Sequence, residues 1–412
     1  MRHSIVAVAA ASILACAVAS AHGPQRPTRY RVEEIKPPAS LLAPCLPQYR
    51  TLAQPAIIND LGVVDGNFNC YSQLDPATGT SLQHGGGFVW ASWFGGLELR
   101  DRDGDETCCS FATTLNHRGE VFGSDVSNGV FEGVKWSLSG GREVVFPNDS
   151  QCEVIKLDIA IAGNGRYTLG LGFRPSEDLP FPGFCLTAQW LTRTPSGIVV
   201  LGPLRAEPRD INLFNQAIGV QDGRTAFRYQ VPSGETRVLR SGDDIHQVLP
   251  TDINDAGEVS GYETTLSPLP GTCFTASARA LRWDRQDRES VLPLLHGATS
   301  SRAWNIGANG DVVGESGPGQ YCEPQNSTNE RATLWRDGKA IDLNEGIPSH
   351  LGITLASANS INRWGQIIAF GYRDDEPLRI CPRQIFDEAT GTFVLDLNQT
   401  CRSQRMYLLT PQ

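Results

Sequence analysis

The residues best able to do chemistry are few and scattered. Asp101, Asp103 and Asp105 place carboxylates at alternate positions of Asp101-Arg102-Asp103-Gly104-Asp105-Glu106. A calcium loop uses that spacing to wrap a hard cation in oxygens. Glu106 stands where the loop's glycine is expected, and the later glutamate is missing, so a solvated acidic turn is the competing reading. Calcium is the one cofactor this sequence raises. A second group is Asp210, Asp252, Asn305 and Ser360, each just before the apolar residue of a recurring motif. Lining a channel, their oxygens would hold a hard cation or water, or would bond neighbouring backbone.

Catalytic signatures are absent. No G-x-S-x-G elbow, H-E-x-x-H pair or P-loop occurs, which removes the common serine-hydrolase, zinc-protease and nucleotide-binding classes. Paired carboxylates of the glycosidase kind stay open, because distant strands can supply them. Asp243-Asp244 and Asp374-Asp375-Glu376 read as solvated turns.

Eleven cysteines are present. Setting aside Cys16, the others are Cys45, Cys70, Cys108, Cys109, Cys152, Cys185, Cys273, Cys322, Cys381 and Cys401. An even set in an exported chain points to disulfides, and the missing C-x₂-C spacing argues against zinc. Connectivity is not deducible from spacing; Cys381–Cys401 is the pair to test first, since both lie in one insertion. Export is read from residues 1–21. A short basic start precedes the apolar run Ile5 to Ala19, and Ala19-Ser20-Ala21 fits a cleavage site. Ile13-Leu14-Ala15-Cys16 offers the alternative of a lipid anchor on Cys16. The protein is expected to be secreted or periplasmic, and no stretch is apolar enough to span a bilayer.

What must position these groups is a repeat. Asp252-Ile253-Asn254-Asp255-Ala256-Gly257-Glu258-Val259-Ser260-Gly261-Tyr262 reads as strand, tight turn, strand. Copies fall near residues 58, 115, 161, 211, 253, 306 and 361, spaced 42 to 57 residues apart. That spacing is the regime of propeller blades. Gly257, or Asn215 in the fourth copy, supplies the left-handed residue that a short hairpin loop needs. Aromatic-bearing segments such as Ala280-Leu281-Arg282-Trp283 follow as the third strand of each copy, with tryptophans recurring as core between blades. The sequence thus predicts an all-β fold: a β-propeller of seven blades, each of four antiparallel strands. Residues 22–412 form it as one domain. A strand over 30–35 pairs with one over 405–409 to close the ring, and residues 373–405 form an insertion in the last blade. The long b–c connections, 67–86, 263–279 and 316–331, share one face, where rigid scaffolds usually carry function.

Ile253 to Tyr262, Ala280 to Trp283, Ile341-Asp342-Leu343-Asn344 and the closing Tyr407-Leu408-Leu409-Thr410-Pro411 resemble the HAF-repeat family of extracellular bacterial repeat proteins. The triplet that names the family is nearest matched by Thr225-Ala226-Phe227. The resemblance covers most of residues 30–411 and implies export and a propeller-like repeat fold. It brings no catalytic residues with it.

A net charge of −10 disfavours nucleic acid and anionic membranes as partners. The function expected is a non-catalytic binding or scaffold module, read as a monomer, taking a glycan or a protein on the b–c loop face. The alternative is a polysaccharide-active hydrolase or lyase on the same scaffold.

Overall fold

The structure is a computed structural model. It describes residues 29–412 apart from 47–50, 54–55, 76–79, 100–109, 128–129, 148–157, 175–186, 198, 269–272, 323–328, 381–382, 388–391 and 397–399. The leader with Cys16, the 101–106 acidic loop, and Cys108, Cys109, Cys152, Cys185 and Cys381 lie outside the described residues.

Seven sheets of four antiparallel strands form a seven-bladed β-propeller. Blade 1 is Thr51–Ala53, Val64–Asp75, Thr80–Ala91 and Gly95–Glu98. Blade 2 is Ser110–Leu115, Val121–Ser127, Val130–Trp136 and Arg142–Phe146, and blade 3 is Asp158–Gly163, Thr168–Arg174, Thr187–Arg193 and Val199–Leu204. Blade 4 runs Ala206–Ile211, Gln216–Gln221, Thr225–Gln230 and Thr236–Arg240; blade 5 runs His246–Ile253, Val259–Pro268, Cys273–Trp283 and Glu289–Val291. Blade 6 is Ser300–Ile306, Val312–Gly317, Arg331–Arg336 and Lys339–Asp342. Blade 7 takes Ile353–Ile361, Ile367–Arg373 and Arg405–Pro411, and its fourth strand is Tyr30–Ile35 from the other end of the chain. The pairing runs from Tyr30↔Pro411 to Ile35↔Met406, the closure expected from the sequence.

No blade has a core of its own. The buried apolar residues fall into seven clusters, one at each blade-to-blade junction. This is why a single blade cannot stand alone. Trp90, Trp136, Trp283 and Trp335 each pack toward the preceding blade. Trp190 departs from the expected common position. The blade 3 turn is shorter, so Arg193 pairs opposite Thr168 where blades 1, 2, 4, 5 and 6 set an aromatic and blade 7 sets Leu409, and Trp190 lies on the opposite face. There it joins Phe227 and Tyr229 of blade 4, with ring centroids 5.7 and 5.4 Å away. The turn asparagine of this copy is Asn164, which puts Gly163 in the apolar slot and Ile161 at a bulge two residues earlier.

That asparagine is the main bond between blades. Its Oδ1 caps its own turn, as Asn254 does for the Glu258 amide (2.9 Å). Its Nδ2 donates to a turn carbonyl of the next blade. Asn59 reaches Asn116, Asn116 reaches Gly163, Asn164 reaches Asn212, Asn212 reaches Asn254, and Asn254 reaches Gly307. Asn362 reaches Asn59 and closes the circle across the termini (3.0 Å). Blade 6 breaks it, because Gly307 has no side chain to donate. Asn254→Ala should lower unfolding stability by about 2–3 kcal/mol, since it removes three hydrogen bonds and takes the side-chain acceptor from the Glu258 amide. Gly307→Asn should raise it by about 1 kcal/mol by adding the missing link. A Cβ at Gly307 meets Asn309 Oδ1 at 3.1 Å and Ile361 Cγ2 at 3.4 Å, so only a small shift is needed. Denaturant melts that move neither variant would show the circle to be energetically idle.

The predicted long b–c loops are largely strand. Blade 1 and blade 5 raise tall hairpins, Val64–Asp75 with Thr80–Ala91 and Val259–Pro268 with Cys273–Trp283. Strand extension satisfies backbone groups that a loop would leave to water. In blade 6 the connection places Gln320–Cys322 on the edge of blade 5, with Cys322 opposite Cys273 in register. In blade 7 the insertion forms two small ladders, Arg379–Ile380 with Thr400–Cys401 and Arg383–Asp387 with Thr392–Asp396. Cys45 and Cys70 form a disulfide that ties the N-terminal segment to blade 1, and Cys401 is also disulfide-bonded.

Candidate functional site

Antiparallel blades put the a–b and c–d turns on one face and the b–c and d–a connections on the other. The channel narrows at the a–b face into a cavity of roughly 190 Å³ walled by all seven turns. Asp210, Asp252, Asn305 and Ser360 all line it. The reason they point there is local. In blades 2 to 7 a bulge interrupts the first strand two residues before the motif's apolar slot, at Thr113, Ile161, Arg209, Thr251, Trp304 and Asn359. A bulge re-aims the side chains that follow it. An Ala or Pro precedes every one of them: Ala112, Ala160, Pro208, Pro250, Ala303 and Ala358. The second glycine serves the same region, since a Cβ on Gly261 would sit 2.4 Å from Leu249 O and 2.9 Å from Pro250 Cα.

Each of the four polar side chains accepts a backbone amide from the next blade. Asp210 takes Ile253 N (3.2 Å), Asp252 takes Ile306 N (2.8 Å), Asn305 takes Ile361 N (2.8 Å) and Ser360 takes Ile58 N (3.1 Å). Asn305 Nδ2 also donates to Asp252 (2.8 Å). These groups latch blades together, the second of the two roles open to them. Asp252 is held well above the usual carboxylate range by burial first, then by the Asp210 charge and their mutual hydrogen bond. Asp210 is raised by burial, against the pull of the Asp252 hydrogen bond and two amides. Each carboxyl thus disfavours ionisation of the other, as adjacent carboxyls do. Among the described residues, no three His, Cys, Asp or Glu stand together as a metal site.

The larger cavity is on the opposite face. A hollow of roughly 780 Å³ opens between blades 6 and 7, walled by residues from 295–298, 316–318, 329–331, 342–354 and 372–374. All of these are b–c or d–a segments. Asp342 accepts from Asn344 N (2.9 Å), Asn344 Nδ2 (2.8 Å) and Arg331 (3.2 Å); Asp374 accepts from Thr354 Oγ1 (2.8 Å). Ser316 is 1% exposed, and its Oγ has no hydrogen-bond partner. Sequence reasoning named this face as a candidate and did not see the hollow. Its floor comes from d–a segments that carry no repeat signal.

The site and fold define a seven-bladed propeller with one locked face and one open face. No protein family matches the chain, and no curated protein matches it. Among solved structures, the acylaminoacyl peptidase of Pyrococcus horikoshii is similar over 85% of this chain and 53% of its own, at 11% identity and a TM-score of 0.50. This chain thus spans about half the length of that peptidase. An oligogalacturonate lyase from Vibrio parahaemolyticus is similar over 93% and 97%, at 11% identity and a TM-score of 0.49. The β-propeller domain of the Trilobed protease of Pyrococcus furiosus is similar over 85% and 97%, at 10% identity and 0.47. At such identities the peptidase likeness speaks to the propeller fold alone. No described helix is long and apolar enough to cross a membrane.

Proposed function

We propose that this protein is an exported binding or scaffold module that takes its partner, a glycan or a protein, on the b–c face. The observation that carries the reading is the contrast between faces. The a–b face is closed by short turns bonded into a near-complete circle, while the b–c face raises hairpins and also carries a 780 Å³ hollow. Locked turns stabilise, and raised, variable segments on a rigid frame recognise. The leader and the Cys45–Cys70 disulfide support export. The likeness to HAF repeats supports the same setting. The test shortens the blade 5 hairpin at the Thr264↔Ala278 pair and removes the 383–396 hairpin. Capture on a glycan array or in a pull-down should be lost while the thermal transition persists. Binding that survives trimming would sink the reading.

The polysaccharide-active reading has one observation behind it, the adjacent Asp210 and Asp252 carboxyls on the wall of the a–b cavity. Asp252→Asn keeps a donor toward Asp210 and an acceptor toward Ile306 N. It separates the two roles: it should leave the fold intact, and it would abolish turnover of a polysaccharide panel only if the pair does acid–base work.

A further inference from the structure

The geometry points to the hollow between blades 6 and 7 as a binding site for a neutral oligosaccharide. This rests on the b–c face being the binding face, and it assigns that face a ligand class. Four observations carry it. The first is size: at roughly 780 Å³ the hollow falls within the range of small-ligand sites, about 300–1,000 Å³. The second is Ser316. A buried hydroxyl without a partner is rare in a folded protein, and a ligand that completes it is one of the ways the group is tolerated. Of five such hydroxyls among the described residues, that of Ser316 belongs to a residue lining the hollow, and its Oγ sits just behind the wall, so a ligand reaches it with a small side-chain shift.

The third is charge. Glu330, Asp342 and Asp374 line the hollow; of its two basic side chains, Arg331 already sits on Asp342 at 3.2 Å, and the other is His296. An anionic ligand would meet carboxylates with no clamp to hold it. Hydroxyl donors suit carboxylates well: each offers about four acceptor positions, and Asp374 receives Thr354 Oγ1 at one of them. The fourth is the wall. Pro318, Ile347 and Ile353 give an apolar side against which the C–H faces of sugar rings can lie. A quaternary cation is less well served, because the Tyr372 ring already carries the Arg402 guanidinium 4.7 Å from its centroid. Sugars, with hydroxyl edges and apolar faces and no charge, match all four.

The test uses the full chain against neutral and uronate-containing tri- to hexasaccharides, measured by array and then by titration calorimetry. A neutral oligosaccharide should bind, and Ser316→Ala should weaken it about five- to tenfold, the worth of one neutral hydrogen bond. Ser349→Trp, at the exposed rim, should fill the hollow and weaken binding by at least about tenfold. Without ligand, Ser316→Ala should melt no lower than wild type, since it removes an unpaired buried hydroxyl; a clear drop would mean that Oγ is structurally bonded and would overturn the assignment. Binding unchanged in both variants, but lost on trimming the hairpins, would place the ligand elsewhere on the b–c face. That result overturns the hollow and leaves the face reading standing. Preference for uronates, or no saccharide bound at all, overturns the ligand class. Binding indifferent to both the variants and the trimming defeats the face reading itself.

Discussion

A chain begun at Pro37 should melt roughly 5 °C or more below the intact protein and should aggregate on heating. The missing strand is the fourth of blade 7, held by six register pairs to Arg405–Pro411. It reaches two junctions at once. Ile35 (1% exposed) packs in the cluster between blades 7 and 1, and Tyr30 (2% exposed) in the one between blades 6 and 7. Burying each side chain contributes on the order of 2 kcal/mol, before the ladder is counted. At about 2 cal/mol/K of unfolding entropy per residue, a loss near 4 kcal/mol moves the midpoint of a chain this long by about 5 °C. Removal also breaks the Arg405–Glu34 ion pair and leaves the Arg405–Pro411 strand as an open edge. An unchanged midpoint would mean that the ring holds without its terminal strand and that the closure seen here is ornamental.

The second large effect is set by pH. Asp65 is 2% exposed, and its Oδ1 accepts Ile57 N at 2.6 Å. The first strand of blade 1 is irregular here: Ile58 bridges Val64 outside the regular strands, and the Asp65 carboxyl takes an amide that a continuous ladder would have paired. Burial raises the Asp65 pKa to about 7, against the pull of the Ile57 amide and its own. The folded pKa lies above the unfolded one. The contribution is therefore complete below about pH 4 and is lost as pH rises through about 7. The rise from the ordinary aspartate range to about 7 corresponds to about 4 kcal/mol. Asp65→Asn should match wild type near pH 4 and exceed it by up to about 4 kcal/mol at pH 8, since asparagine keeps the acceptor and cannot ionise. A wild-type-minus-variant difference that stays flat between pH 4 and 8 would refute the buried, titrating carboxyl.

The architecture was legible because it is repeated. Seven asparagine- or glycine-marked turns and two terminal strands suffice to count blades and close the ring. The same residues hid a second role. Asn59, Asn116, Asn164, Asn212, Asn254 and Asn362 look like ordinary turn formers, and nothing local says that their amides reach the next blade. The bulges were hidden for a related reason: Ala or Pro three residues before the apolar slot is a signal only once the copies are aligned on the turn position held by Asn, or by Gly307 in blade 6, rather than on Ile. Aligning on Ile161 shifted the third copy by two residues and concealed the reversal of Trp190. Asp210, Asp252, Asn305 and Ser360 were found as a ring, but their commitment to backbone amides depends on the stagger between blades. The hollow was least legible. It is assembled from residues near 296, 316, 330, 345 and 373, which share no motif, and its most telling atom, Ser316 Oγ, is distinguished only by what it lacks.

We place recognition on the b–c face. Hydrogen–deuterium exchange of the full chain, with and without a saturating neutral oligosaccharide from the binding panel, tests it most directly. Exchange should slow in peptides covering 295–300, 316–318, 342–354 and 372–374, with the a–b turns around Asn59, Asn212 and Asn254 unchanged. Slowed exchange at those turns, with none across the b–c face, would place the ligand in the channel mouth and contradict it.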